Sequence, residues 1–266
     1  MWIRELGRGG TSHVFLAADR RDGKKYAVKC YDTHEAFFQA ESEWRRMRKL
    51  CYPAIPAVRE TIHDGGQVYV VMDYVPGTSL KEIIRREKRL PEMQVVLWGT
   101  ELCNLLSYLH SQKPQVLYRD LKPANIIVTP VSKLKLIDFG SAVEWDPHQS
   151  NTAKAEAVGT VGYAAPEQFG DSKKLDQRTD IYALGATLHQ MLTGENPCIS
   201  PGRFEPIRKC NKKISSQIER VVMKCLEKEP ENRYRFCQEV KKDLENINSR
   251  TRGRRRLYIT RSETRY

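Results

Sequence analysis

The chain has 266 residues, 40% of them hydrophobic and 29% charged, and a formal net charge of +12. That length is ample for a buried core and fits one large domain or two lobes around a shared cleft, and the composition is that of an ordinary globular protein. No apolar run approaches bilayer-spanning length, the start "MWIRELGRGG" lacks a signal-peptide layout, and the positive balance favours anionic partners such as nucleotides, nucleic acid or a membrane surface.

The first 75 or so residues are rich in strand signals. His13 to Arg20 and Lys25 to Asp32 predict two strands, joined into a hairpin by a turn at Arg21 to Gly23. His34 to Leu50 predicts a charged helix, with Phe37, Ala40, Trp44, Met47 and Leu50 as its rough apolar stripe and Pro53 and Pro56 ending it. Gln67 to Val75 predicts a further strand, followed by a turn at Pro76 to Ser79. Helical spacing then takes over. Pro91 to His110 puts Val95, Trp98, Leu102, Leu105, Leu106 and Leu109 on one face, with Pro91 in the first turn. Ala183 to Leu192 predicts a core helix. Ser216 to Pro230 predicts a helix opened by a capping box from Ser216 to Glu219.

The seven cysteines are scattered singly, without metal-ligand or redox-pair spacing, and read as free buried thiols in a reducing cytosol. Asn248 to Tyr266 carries seven arginines against one glutamate and reads as a basic tail.

Four segments carry chemistry. In "LGRGGTSHV", Gly7, Gly9 and Gly10 lie between strand-like pieces, where glycine lets backbone N–H groups approach phosphates. Alone the signal is weak and a plain glycine hairpin is the default reading, and a dinucleotide fingerprint would need a helix where a strand follows. "YAVK" ends an apolar strand at Lys29, a surface lysine unless Glu41 or Glu43 on the next helix reaches back to it. "YRDLKPAN" sets Asp120, Lys122 and Asn125 around a turn. A carboxylate there can accept a hydroxyl proton, an ammonium can neutralise phosphate charge, and an amide oxygen can bind a hard cation. "KLIDFGSA" places Asp138 at a strand end, as suits a magnesium ligand on a hinge.

In this order and spacing the segments resemble a eukaryotic-type (Hanks-type) serine/threonine protein kinase of bacterial character, from Leu6 to about Tyr234. The resemblance implies an α+β bilobal fold: an N-lobe over 1–75, with a small antiparallel sheet and one helix, and a larger helical C-lobe over 76–247. The basic tail at 248–266 then reads as a juxtamembrane linker or free extension. It implies Asp120 as base, Lys122 near the γ-phosphate, Lys29 on the α/β-phosphates with Glu43 as its partner, and Asn125 and Asp138 on Mg²⁺ or Mn²⁺. It implies an ATP site in which Leu6, Val14, Ala27 and Ile127 sandwich adenine, Met72 lies behind it, and the backbone of Asp73 and Val75 meets its edge beside Gly7, Gly9 and Gly10.

Ser12 replaces the third glycine of the loop. Tyr118 stands where the family usually has histidine, and would complete an apolar stack of Val58, Met47, Phe139 and Tyr118. Thr160 stands where the serine/threonine class has a threonine near the base. Asp180 would brace the catalytic loop, and Arg233 would pair with Glu167. Arg119 would either bind a phosphate on the activation segment, with Thr152 or Ser150 favoured, or only brace structure.

The implied partners are proteins bearing Ser or Thr acceptors, with self-phosphorylation expected. The tail adds nucleic acid or anionic membrane as a second class. The implied place is the cytoplasm, with membrane tethering if the chain is part of a longer protein. The alternative from another class is a scaffold that keeps the fold without the reaction. The presence of Lys29, Glu43, Asp120, Lys122, Asn125 and Asp138 together argues against it.

Overall fold

A computed structural model describes residues 1–8, 12–31, 41, 44–45, 47–65, 67–146, 158–170 and 175–247. Gly9, Gly10, Glu43, Ser150, Thr152 and the basic tail lie outside the described residues. The chain divides into two compact units, Met1–Ser79 with Asn125–Ala142, and Leu80–Ala124 with Val143–Tyr266. The sequence reading has a single cut near residue 75. The structure instead returns 125–142 to the first unit, because Ile126–Val128 pairs with Thr78–Ser79 and the Leu136 N–H donates to the Ala54 carbonyl at 2.8 Å.

The first unit is built on a five-stranded antiparallel sheet of order β1-β2-β3-β5-β4: β1 Trp2–Arg8, β2 Ser12–Ala18, β3 Lys25–Tyr31, β4 Val58–Asp64 and β5 Gln67–Asp73. The β2–β3 hairpin expected from sequence is present, with Val14 opposite Lys29 and Ala18 opposite Lys25. Its turn is closed by the Asp19 side chain, which accepts from the Arg21 N–H at 2.9 Å. β5 alternates in burial along its length, and Val68, Val70 and Met72 pack with Ala27 and Tyr31. Leu6, Val14 and Val58 pack against the same cluster. A second sheet orders β6 Thr78–Ser79, β8 Ile126–Val128 and β9 Leu134–Leu136.

The second unit is mainly helical, with one short strand pair of β7 Gln115–Leu117 and Val143–Trp145. The helix Glu92–His110 buries all six residues of the predicted face. Pro91 is its extended cap rather than its first helical residue. Gln177–Thr193 is the central helix, with every residue from Thr179 to Thr193 buried. The Asp176 carboxylate accepts from the Arg178 N–H at 2.8 Å to cap its start. Gly194 ends it at φ +78°, where a Cβ would meet the Lys88 carbonyl oxygen at 2.2 Å. At Gly185 a Cβ would lie 2.7 Å from Cys225 Cβ, so the missing side chain lets Ser216–Cys225 approach.

The predicted cap of Ser216–Cys225 shifts by one residue. Ser215 is the N-cap and its hydroxyl accepts from the Ile218 N–H at 3.4 Å. The Glu92 carboxylate fixes Ser215 through its N–H at 2.7 Å and its hydroxyl at 2.6 Å, while Glu219 turns to the Arg208 N–H. A further helix runs over 237–247.

All seven cysteines are free. Burial pushes the Cys225 thiol up to about 12 and those of Cys103 and Cys237 well above the usual range, so these three are inert core residues. Among the described residues no helix is long and apolar enough to cross a membrane.

Candidate active site

Each unit contributes its own set of polar groups. In the sheet unit, β3 carries Lys29, which is 8% exposed. Its ammonium lies 3.0 Å from Asp138 Oδ1 and 5.3 Å from the centroid of the Tyr31 ring. A lysine so enclosed keeps its charge only with partners, which makes this a placed group rather than a surface lysine.

The β8–β9 ladder positions the two expected metal ligands. Ile126 pairs with Leu136, and the Ile137 N–H donates to the Asn125 carbonyl at 2.9 Å. Asn125 and Asp138 are therefore brought to one end of one hairpin. Asp138 has φ +66°, an uncommon conformation for a residue with a side chain, and half of its carboxylate is exposed. Phe139 beside it is fully buried and anchors the turn. An amide oxygen and a half-exposed carboxylate suit a hard cation that completes its shell with water and phosphate oxygens, so the donor set fits Mg²⁺. Among the described residues no cluster of three or more His, Cys, Asp or Glu offers a closed metal cage.

The expected adenine contacts also fall in this unit. Ala27 is opposite Met72 across β3 and β5, and both join the cluster against which Leu6 and Val14 pack. Gly7 is opposite Val14, Ile127 lies in β8, and Val75 follows β5. The Asp73 N–H is taken by the Ala57 carbonyl at 2.9 Å, and its carboxylate by Arg59.

In the helical unit, the Asp120 carboxylate is held on both oxygens. Oδ1 accepts from the Thr160 hydroxyl at 2.7 Å and its N–H at 3.1 Å. Oδ2 lies 2.6 Å from the Lys122 ammonium, which also donates to the Thr160 hydroxyl oxygen at 2.6 Å. Asp120, Lys122 and Thr160 thus form one triangle, with Asp120 only 8% exposed.

The loop below that triangle is fixed from the central helix. Asp180, fully buried, accepts from the Tyr118 N–H at 2.9 Å and the Arg119 N–H at 2.7 Å. His110 Nε2 is 2.8 Å from the same carboxylate. Arg119 sits at φ +64°, and Gln168 Nε2 donates to its carbonyl at 2.9 Å. Left-handed residues with side chains cost roughly 1–3 kcal/mol and persist where surrounding contacts over-determine them. Of the four among the described residues, Arg119 immediately precedes Asp120 and Asp138 is itself an expected ligand, while Lys88 and Ser132 lie elsewhere.

Tyr118 is fully buried, so its apolar body fills core space and its backbone serves as a donor. Of the other expected stack members, Met47 and Phe139 are buried and Val58 packs on the sheet cluster.

Glu167 and Arg233 form a bidentate pair at 2.7 and 2.9 Å, 6% and 4% exposed. The remaining guanidinium N–H groups donate to the carbonyls of Glu227, Lys228 and Arg178, which satisfies all five donors. The sequence reading passed over His110 and Gln168. Gln168 donates to the loop's Arg119 carbonyl and His110 meets the Asp180 carboxylate that holds the loop, roles that only contacts reveal.

The comparisons with known proteins identify the family. The protein kinase domain model matches residues 2–244. The chain is 34% identical over 265 residues to the serine/threonine-protein kinase PknB of Mycobacterium leprae, covering 92% of this chain and 42% of that protein. It is 30% identical over 259 residues to the probable serine/threonine-protein kinase CA_C1728 of Clostridium acetobutylicum, covering 91% and 39%. Against the probable serine/threonine-protein kinase SCO3848 of Streptomyces coelicolor it is 31% identical over 267 residues, covering 90% and 38%. The chain therefore spans about two fifths of the length of these relatives. A match over nearly the whole chain, with the spaced polar groups in place, makes this chain a member of the protein kinase domain family, similar to bacterial serine/threonine kinases.

Proposed function

We propose that the chain is an ATP-dependent protein serine/threonine kinase. The observation that carries this is the Asp120 carboxylate, oriented on both oxygens by Thr160 and Lys122. A carboxylate fixed in this way accepts the proton of a Ser or Thr hydroxyl as that oxygen attacks the γ-phosphoryl group. The Lys122 ammonium neutralises charge gathering on the transferred group. After transfer the proton resides on Asp120 and ADP leaves.

In the sheet unit, Lys29 binds the α- and β-phosphates, and the residues assigned to adenine, Leu6, Gly7, Val14, Ala27, Met72, Asp73, Val75 and Ile127, hold the base. Asn125 and Asp138 would hold Mg²⁺, which shields phosphoryl charge when bound with ATP. The Lys29–Asp138 pair holds the two groups 3.0 Å apart. Glu43 as the second partner of Lys29, and Gly9 and Gly10 against the phosphates, belong to the same reading.

The test is transfer of label from γ-labelled ATP to a generic protein substrate and to the chain itself, followed by phosphoamino-acid analysis. Phosphoserine or phosphothreonine is expected. Label on tyrosine alone, or none despite ATP binding, contradicts the proposal and favours a scaffold. Recruitment of an anionic partner by the seven arginines of Asn248 to Tyr266 is a separate proposal, supported by composition. It predicts binding to DNA or anionic vesicles that weakens steeply with salt.

A further inference from the structure

One cavity of the sheet unit is lined mostly by residues given no role above. It has a volume of about 380 Å³, within the range of roughly 300–1,000 Å³ typical of small-ligand sites. Lys24, Lys25, Arg59 and Lys135 line it, with Asp73 as the one carboxylate among the lining residues. Of the residues assigned to adenine only Asp73 and Val75 reach it. Leu6, Val14, Ala27, Met72 and Ile127 do not.

The charges on its wall are unbalanced. Arg59 takes both Asp73 oxygens, through Nε at 2.7 Å and a terminal nitrogen at 2.6 Å. That bidentate pair holds the Asp73 carboxyl below the usual carboxylate range, with Lys24 adding to the effect. Four cations against one carboxylate leave three positive charges, all lysine ammoniums. Lys135 donates to the Pro53 carbonyl, which fixes its direction and leaves two of its three N–H donors. Lys24 lies 5.5 Å from the Tyr26 ring centroid, which limits its sweep. Cationic side chains lining one cavity beside an already satisfied carboxylate repel a cationic ligand and attract an anionic one. Three charges and this volume exceed what one phosphate dianion needs.

We propose that this cavity binds a small ligand carrying several phosphoryl charges, a polyphosphate or a multiply phosphorylated metabolite. Its oxygens would bridge Lys24, Lys25 and Lys135. Because Asp73 and Val75 belong both to the cavity wall and to the proposed adenine edge, occupancy would also change the apparent affinity for ATP. That consequence rests on the kinase reading, whereas binding itself does not.

The experiment is lysine acetylation footprinting of the full chain, read by mass spectrometry, with inorganic tripolyphosphate and orthophosphate as probes. Tripolyphosphate is expected to slow acetylation of Lys24, Lys25 and Lys135 at least fivefold, at a concentration that leaves Lys212 and Lys213 unchanged. Orthophosphate should need at least tenfold more. The protection should survive in Lys29→Met, which removes the proposed nucleotide-phosphate contact. It should fall at Lys24 and Lys25 in Lys135→Gln, and at Lys24 and Lys135 in Lys25→Gln. Uniform protection of all lysines, loss of protection in Lys29→Met, or equal potency of the two probes overturns the assignment. Loss of phosphoryl transfer bears on the kinase reading alone.

Discussion

The buried pair of Glu167 and Arg233 gives the sharpest stability prediction. Replacing Arg233 by Met keeps apolar bulk and removes five N–H donors at once. It leaves the Glu167 carboxylate, 6% exposed, with the Thr179 hydroxyl at 3.0 Å as its side-chain partner among the described residues, and takes a donor from the Glu227, Lys228 and Arg178 carbonyls. Breaking one side of a buried ion pair costs about 3–5 kcal/mol, because the abandoned charge stays buried. Unfolding midpoints of chains this large move by about 2–4 °C per kcal/mol, so Arg233→Met should lower the midpoint by roughly 6–20 °C. Glu167→Gln should cost less, since the amide oxygen still accepts one guanidinium N–H. The double variant should lose less than the sum of the singles, with a coupling of about 2 kcal/mol or more, because neither charge is then stranded. Thermal unfolding of the four chains measures the cycle. Single losses under about 1 kcal/mol that add without coupling would refute the reasoning.

Thr160→Ala removes the hydroxyl shared by Asp120 and Lys122. At about 1.5 kcal/mol for a hydrogen bond to a charged group, transfer should fall roughly tenfold, and Thr160→Ser should restore most of it. An unchanged rate in steady-state kinetics would remove Thr160 from the site. His189 supplies a pH prediction. It is 2% exposed, its Nε2 donates to the Glu205 carbonyl at 2.8 Å, and burial holds its folded-state pKa below the usual 6.5. As pH falls, the unfolded chain takes up this proton before the folded one does. Stability is therefore full above about pH 6.5 and is lost below it, by at most about 1.4 kcal/mol per pH unit from this group. Urea unfolding at pH 7.5, 6.5 and 5.5 should show a shallower loss in His189→Gln than in the native chain. Equal slopes would rule out the buried neutral imidazole.

The polar chemistry was legible in the sequence because it lies in short contiguous runs. Asp120, Lys122 and Asn125 fall within six residues, and the alternation from Gln67 onward encodes a half-buried strand directly. Elements whose stability comes from distant partners were harder to read. β4, Val58–Asp64, is exposed along most of its length, so its sequence shows little strand alternation, and it exists because β5 pairs with it. The cap at Ser215 rather than Ser216 was decided by Glu92, 123 residues away. The return of 125–142 to the first unit likewise depends on ladder pairs with Thr78–Ser79 that no local pattern contains. His110 and Gln168 were passed over for the same reason: His110 acts on the Asp180 carboxylate and Gln168 on the Arg119 carbonyl, both supplied by remote segments.

The central claim is that Asp120 takes the acceptor's proton while other residues bind the nucleotide. Its most direct test compares the native chain with Asp120→Asn for both label transfer from ATP and nucleotide binding by calorimetry. Asparagine keeps an oxygen for Thr160 but cannot serve as the base. Transfer should drop by about a hundredfold or more, as expected for loss of a general base, while ATP affinity changes less than about threefold. Transfer that survives the substitution, or that falls only in step with ATP affinity, would contradict the assignment.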